Sequence, residues 1–237
     1  MASKLKITTK YDEQLCNFHD FSMRPFLLPH IGKLVNFDSV LFIMESHYIN
    51  PDFFEHQYDK ENLNIKSPEL FYNVKEEGLT EKFKEYLNTR QIIKDSESSD
   101  KTLAKGKSVY RKLSSVIRTG HRLKDNIVDS PLDYVGIYNY FQRPSFKQAA
   151  SINVCEKDII VAYDALNHIL KIVNFQKIIF TSAKAYDCFI KIDNLNNKDI
   201  QHNRKIFRGT HPRVWGNVCA YENGITWKQW VINRLGM

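Results

Sequence analysis

Long hydrophobic runs are missing from this sequence. No window approaches the roughly 18 consecutive apolar residues that a membrane-spanning helix needs. The first six residues, MASKLK, carry charge, but no apolar stretch follows them as it would in a secretory signal peptide. We therefore expect a protein that works in water in the cytoplasm and has no membrane partner.

Cysteine is scarce, and the four cysteines never form a CxxC pair, which argues against a zinc ribbon and against a local iron–sulfur motif. We expect them to be reduced and mostly buried. The Walker A, GxGxxG and HExxH motifs are also absent, so nothing in the sequence supports ATP use, a dinucleotide cofactor or a zincin site. The sequence predicts no cofactor and no metal.

Proline and glycine are few, with 7 and 9 residues, and no stretch rich in them divides the 237 residues into parts. We therefore predict a single domain over 1–237. Hydrophobic residues make up 43% of the chain and aromatic residues 13%, which is enough apolar side-chain area for one extended core.

Acidic residues are absent from the segment 101–124, and this basic segment accounts for the net charge of +7. Such a basic cluster is expected of a surface that meets phosphates, and we predict DNA, single- or double-stranded, as the partner. A solvated helix face is the alternative interpretation. The basic residues of the segment are Lys101, Lys105, Lys107, Arg111, Lys112, Arg118, Arg122 and Lys124.

Four short apolar runs predict buried strands, and they are Ser39–Met44, Tyr134–Tyr138, Lys177–Thr181 and Lys205–Arg208. Helix-like segments lie between them, which favours right-handed crossovers and a mostly parallel sheet. We predict an α/β protein, a three-layer α/β/α sandwich with a central four-stranded parallel sheet. The crossover at about 51–129 must hold several helices, and its polar run Lys94–Lys101 predicts a loop.

Polar residues follow each predicted strand. In open parallel sheets ligands bind just beyond the carboxyl ends of the strands, where loops and helix N-termini converge. We therefore expect the working site at this edge of the sheet. The residues that follow the four strands include Glu45, Ser46, His47, Asn139, Ser182 and His211.

The order and spacing of these segments resemble the uracil-DNA glycosylase superfamily. In that superfamily a four-stranded parallel sheet carries a G-[QE]-x-P type loop after the first strand and an H-P-S type loop after the last. The corresponding stretches here are MESHY at 44–48 and HPR at 211–213. Asn139 closes an apolar strand, as does the Asn that grips the uracil amide edge in that superfamily. The resemblance covers most of the chain.

This resemblance implies hydrolysis of the N-glycosidic bond of a damaged or deaminated base such as uracil. The reaction passes through a sugar cation and expels an anionic base. The carboxylate of Glu45 would position water and offset the cationic charge, and His211 would donate a hydrogen bond to the departing base oxygen. Asn139 would pair with the acceptor and the donor on the base edge.

The base site and the DNA contacts are expected to include further residues. Tyr48 or Phe53 is predicted to stack on an extruded base, near Ser46 and His47. Arg213 is predicted to hold a phosphate, with Val214 or Trp215 as a minor-groove wedge. The full set of predicted DNA-binding residues is Lys107, Arg111, Lys112, Arg118, Arg122, Arg213 and Trp215.

One departure from the family pattern keeps other functions open. When Tyr48 is aligned with the family Tyr, Ser46 stands where the best-studied branch has its water-activating Asp, and a hydroxyl cannot serve as a carboxylate. The first alternative is a catalytically silent nucleic-acid-binding module of the same fold. The second is an α/β enzyme that acts on a nucleotide-like metabolite and does not require the basic segment.

Each central residue also has an ordinary structural explanation. Glu45 is a reasonable helix cap, because negative charge is favourable at a helix N-terminus. Asn139 suits a turn, since its side chain mimics backbone hydrogen bonds. His211 precedes Pro212, and a residue before proline is restricted to extended geometry.

Overall fold

The structure is a computed structural model of the chain, and the residues described are 5–36, 38–47, 71–73, 79, 81–97, 107–120, 130–145 and 151–235. Within these ranges no helix is both long enough and apolar enough to cross a membrane. All four cysteines fall inside them as free thiols, of which only Cys219 is buried.

One mixed sheet of five strands organises the protein, and its strand order is β1-β3-β2-β4-β5. In chain order the strands are β1 (His30–Ile31), β2 (Val40–Met44), β3 (Gly136–Asn139), β4 (Lys177–Phe180) and β5 (Lys205–Arg208). The α/β class is confirmed, and all four predicted strands form, but β5 is exposed or half-buried rather than buried as predicted. The sheet differs from the predicted four-stranded parallel one because β1 pairs with the edge of β3 in the antiparallel direction.

Nine helices are found in the described residues, and three of them fall within the predicted long crossover at 51–129. In chain order they are α1 (Asp12–Leu15), α2 (His19–Met23), α3 (Glu81–Leu87), α4 (Thr89–Ser96), α5 (Ser108–Gly120), α6 (Glu156–Val173), α7 (Ala183–Leu195), α8 (Asp199–Asn203) and α9 (Trp227–Leu235).

Alternate residues of the sheet enter two separate apolar clusters, because successive side chains of a strand point to opposite faces. Leu41 and Ile43 of β2 belong to the cluster that takes buried residues from α6 and α7. Val40, Phe42 and Met44 belong to the cluster that takes buried residues from α5 and α9. Each fully buried aliphatic or aromatic side chain contributes on the order of 2 kcal/mol, so both faces stabilise the fold.

Parallel pairing brings four strand ends to one edge of the sheet. Strand β2 pairs in parallel with β3 and with β4, and β4 pairs in parallel with β5. The register sets Met44 opposite Asn139, Ile43 opposite Phe180, and Phe180 opposite Arg208. The segments that follow these strands therefore start side by side, as expected for a ligand-binding edge.

Candidate functional site

Glu45 comes directly after β2, and three donors hold its half-buried carboxylate. Oε1 accepts from the hydroxyl of Ser151 and from the backbone N–H of Ile152 at 3.2 Å, and Oε2 accepts from the Ser182 hydroxyl at 2.7 Å. The Ser182 oxygen also accepts from the backbone N–H of Ala185 at 3.2 Å, which caps α7. The Glu45 charge is thereby fixed in orientation beside the ends of β2 and β4.

His47 and Asn139 face each other in the protein interior. The Asn139 amide nitrogen donates to Nε2 of His47 at 2.9 Å and lies 3.4 Å from the hydroxyl of Thr89, which itself lies 3.0 Å from the same Nε2. Burial lowers the pKa of His47 from 6.5 to about 4, so this ring is neutral at neutral pH.

Asn139 is only 4% exposed, and its amide nitrogen lies within hydrogen-bond distance of both partners. The sequence assigned the Asn139 amide to the edge of a base. In the structure the amide nitrogen donates to His47, because a buried donor needs a partner within the protein. His47, expected to line the base site, is buried in the same group.

The loops after β2 and β3 are joined by backbone hydrogen bonds. Phe141 N–H donates to the Glu45 carbonyl at 2.9 Å, and Ser145 N–H donates to the His47 carbonyl at 2.8 Å. The backbone pairing of β2 with β3 thus continues beyond the sheet and connects the two loops. Ser46, between the two anchored positions, is half-buried.

A buried ion pair connects the loop after β3 to α6. Arg143 binds Asp158 of α6 through two nitrogens, with Nη2 at 2.6 Å and Nε at 3.0 Å, and the Tyr72 hydroxyl donates to the same carboxylate at 2.8 Å. Burial raises the pKa of Asp158, but the hydrogen bonds from Arg143, the Cys155 N–H and Tyr72 outweigh it and leave the pKa below its ordinary value. The carboxylate is therefore charged and locks the loop after β3 to α6.

His211 follows β5 and is exposed to solvent. Its Nδ1 accepts a hydrogen bond from the backbone N–H of Arg213 at 3.2 Å. A neutral imidazole whose Nδ1 accepts carries its hydrogen on Nε2. The His211 ring therefore presents an Nε2–H donor.

Three charged neighbours act on this ring. Partial loss of solvent around the ring makes the largest contribution and lowers the pKa of His211. The charges of Arg213 and Lys112 lower it further, whereas the Glu45 charge raises it. The net direction is downward, which keeps the ring neutral at neutral pH. The Glu45 charge after β2 thus acts on the imidazole after β5, although no hydrogen bond joins these two described side chains.

The segment after His211 differs from the predicted minor-groove wedge. Trp215 is only 3% exposed, packs in the apolar cluster with α5 and α9, and donates its indole N–H to the Thr210 carbonyl at 2.8 Å. A side chain so enclosed cannot be inserted between base pairs without leaving the core. Val214, the other predicted wedge, is 37% exposed.

The predicted DNA-binding residues of α5 divide by their contacts. Lys107, just before the helix, pairs with Asp95 at 2.5 Å, so its charge is partly compensated. Arg111 and Lys112 are exposed, and Arg118 is half-buried. The Lys112 ammonium reaches the Arg213 carbonyl at 3.4 Å, which places α5 beside the segment that follows His211.

Other predicted site residues lie outside the described residues. They are Tyr48, Phe53 and Arg122. Two residues that the sequence did not single out, Thr89 and Ser151, contact the predicted site residues, and so does Ser182, which the sequence placed after a strand without a role. Ser182 follows an apolar strand, which was a usable signal, but nothing local to Thr89 or Ser151 indicates that partners lie 42 and 106 residues away in sequence.

Metal ligands do not assemble in the part of the chain that is described: no group of three or more His, Cys, Asp or Glu side chains is placed to hold an ion. No protein-family model matches the sequence, and no curated protein is detectably similar to it. Interpretation of the site therefore depends on its own geometry.

Proposed function

We propose that this protein hydrolyses the N-glycosidic bond of a damaged or deaminated base in DNA, with a three-layer arrangement of the uracil-DNA glycosylase type. One observation carries the proposal: the oriented carboxylate of Glu45 and the donating imidazole of His211 follow parallel strands that end at the same edge of the sheet. Glycosidic cleavage needs two such groups, a negative charge beside the sugar cation and a hydrogen-bond donor to the departing base.

Glu45 is suited to the sugar side of the reaction. Hydrogen bonds from Ser151, Ile152 and Ser182 orient its negative charge before any substrate arrives. Such preorganisation lets a carboxylate stabilise a developing cation without reorganising in the transition state. Positioning of a water molecule by the same group adds general-base assistance.

His211 is suited to the leaving base. Its Nε2–H can donate to a base oxygen that gains negative charge as the bond to the sugar breaks. The nearby charges of Lys112 and Arg213 favour negative charge in this region, and they also help to keep the imidazole neutral. A neutral donor forms a hydrogen bond that strengthens in the transition state without transferring its proton.

A silent binding module of the same fold is the second candidate, and one observation favours it. Both oxygens of Glu45 already accept hydrogen bonds from the protein, and the amide nitrogen of Asn139 already donates within the protein, to His47. In this alternative, Glu45 ties loops together and the basic surface alone meets DNA.

Base release from oligonucleotides that contain uracil, hypoxanthine or xanthine, followed by alkaline cleavage, tests the proposal. Release of at least one base is expected from the natural sequence. Glu45→Gln should lower the rate by about 100-fold or more, because it removes the charge but keeps the shape. The Gln amide can still accept from Ser151 and Ile152 and can donate to Ser182, so the fold should persist.

The matched control is Glu81→Gln, the same change at an acid that pairs with Lys84 on α3. It should leave base release unchanged. If the natural protein binds DNA and releases none of the three bases, the silent-module alternative replaces this proposal. Equal rates for Glu45→Gln and the natural protein would remove Glu45 from the chemistry.

A further inference from the structure

An open cleft of about 260 Å³ lies beside His211, between α5, the 3₁₀ turn Pro212–Val214 and the start of α9. Its buried lining residues are Val116, Pro212 and Trp215, and its exposed ones include Lys112, Ser115 and Lys228. The cleft thus combines an apolar wall with two ammonium groups. Lys228 belongs to α9, far in sequence from the basic segment.

The positive charge of this cleft is little compensated by the described residues. No acid is among those of them that line it. The Lys228 ammonium has no hydrogen bond or ion pair with any described residue, and Lys112 makes only a 3.4 Å contact with the Arg213 carbonyl. Two lysines that line one cleft together with apolar side chains raise the positive potential there.

We propose that this cleft binds one phosphate of a DNA strand, held between Lys112 and Lys228, with the adjoining sugar against Val116, Pro212 and Trp215. The Ser115 hydroxyl is a further donor for a phosphate oxygen. The proposal takes DNA as the partner from the proposed function, but it does not require that the protein cleaves a glycosidic bond.

A DNA strand fits the cleft better than a free nucleotide does. The volume is below the range of about 300–1,000 Å³ in which small ligands are usually enclosed, and the cleft is open to solvent. Its polar side chains are two lysines and one serine, residue types that commonly contact phosphate oxygens. The exposed residues of α5 continue the basic surface away from it.

Gly216 offers a direct test of the charge in this cleft. It lines the cleft, and a Cβ atom added there would meet no atom within 4 Å. Gly216→Asp therefore introduces a carboxylate without a clash, and Gly216→Asn is its neutral control of the same shape. With a labelled oligonucleotide of mixed sequence at about 50 mM salt, Gly216→Asp should weaken binding by about tenfold relative to Gly216→Asn.

Lys228→Gln provides a second measurement that does not depend on the glycine. Removal of one phosphate contact should lower the slope of log affinity against log salt by about 0.7 to 0.9. Lys191→Gln, at an exposed lysine of α7 that does not line the cleft, should leave the slope unchanged. Thermal unfolding of each variant establishes that it is folded.

The outcomes separate the cleft from the proposed chemistry. Equal binding by Gly216→Asp and Gly216→Asn, or an unchanged slope in Lys228→Gln, would overturn the cleft assignment even if base release is observed. Binding of thymidine monophosphate as tight as that of the oligonucleotide, and lost in Gly216→Asp, would overturn the strand in favour of a small nucleotide. If Gly216→Asp loses oligonucleotide binding and the natural protein releases no base, the cleft assignment is supported and the proposed hydrolase activity is overturned.

Discussion

The two halves of the sheet edge carry similar polar residues, but one half buries them and the other exposes them to solvent. After β2 and β3, His47 and Asn139 are buried and hydrogen-bonded to each other and to Thr89. After β5, His211 and Arg213 are exposed, and the imidazole keeps one ring nitrogen turned away from its backbone partner. We call these the inner half and the outer half of the edge.

This difference shows that a polar residue at a strand end is not by itself a ligand contact. In the inner half, burial removes water, so each donor must find a partner within the protein. In the outer half, water remains available, and polar groups are free to exchange it for a ligand. Glu45 lies between the two, with its oxygens held by the protein and its charge felt by His211.

The largest effect is expected from the outer half, in catalysis. His211→Ala should lower base release by about 100-fold, because the hydrogen-bond donor to the departing base is lost. The free energy of unfolding should barely change, since the ring is exposed. His211→Asn, which keeps an acceptor for the Arg213 N–H and a donor, should recover part of the rate. His202→Ala, at an exposed histidine of α8, is the control. A fully active His211→Ala would place the chemistry elsewhere.

The inner half should instead contribute to the pH dependence of stability. Burial lowers the pKa of His47 from 6.5 to about 4, and it lowers that of His30 in β1, outside the inner half, to about the same value. Between these values the unfolded chain binds protons that the folded protein does not. The free energy of unfolding should therefore fall as the pH is lowered through this window. Each buried histidine contributes a slope of up to about 1.4 kcal/mol per pH unit.

His47→Gln tests the share of one histidine in this slope. The Gln oxygen can accept from Asn139, but it does not titrate, so the slope between about pH 6 and pH 5 should fall by about 1.4 kcal/mol per pH unit at most. Denaturant unfolding at several pH values measures it, with His202→Gln as the exposed control. An unchanged slope would mean that His47 is already protonated in the folded protein.

The smallest effect concerns the basic surface next to the outer half. Replacement of Arg111, Lys112 and Arg118 by Ala should weaken DNA binding with little sequence preference and should lower the salt slope by about 2 to 3. Lys107→Ala should change the slope less, because Asp95 already neutralises part of that charge. A slope unchanged by the triple replacement would make α5 a solvated helix face.

Local sequence was sufficient for the elements whose apolar period is regular. The continuous apolar runs of β2 and β4 are buried along their whole length, as predicted. Strand β1 was missed because two residues, His30 and Ile31, form no recognisable run. The prediction of a loop at Lys94–Lys101 is wrong for its first residues, because α4 continues to Ser96. That helix buries Thr89, Ile93 and Ser96 on one face, while the charged residues occupy the other.

The sequence by itself determined which polar residues stand at the strand ends, because alternation of strands and helices places those ends on one edge. Only the tertiary structure decided which of them face solvent and which serve the fold. Trp215 and Asn139 became internal through packing and through partners such as Thr210 and Thr89, while His211 stayed exposed. The reason is physical: burial and hydrogen-bond partners depend on residues distant in the chain, and no local pattern encodes them.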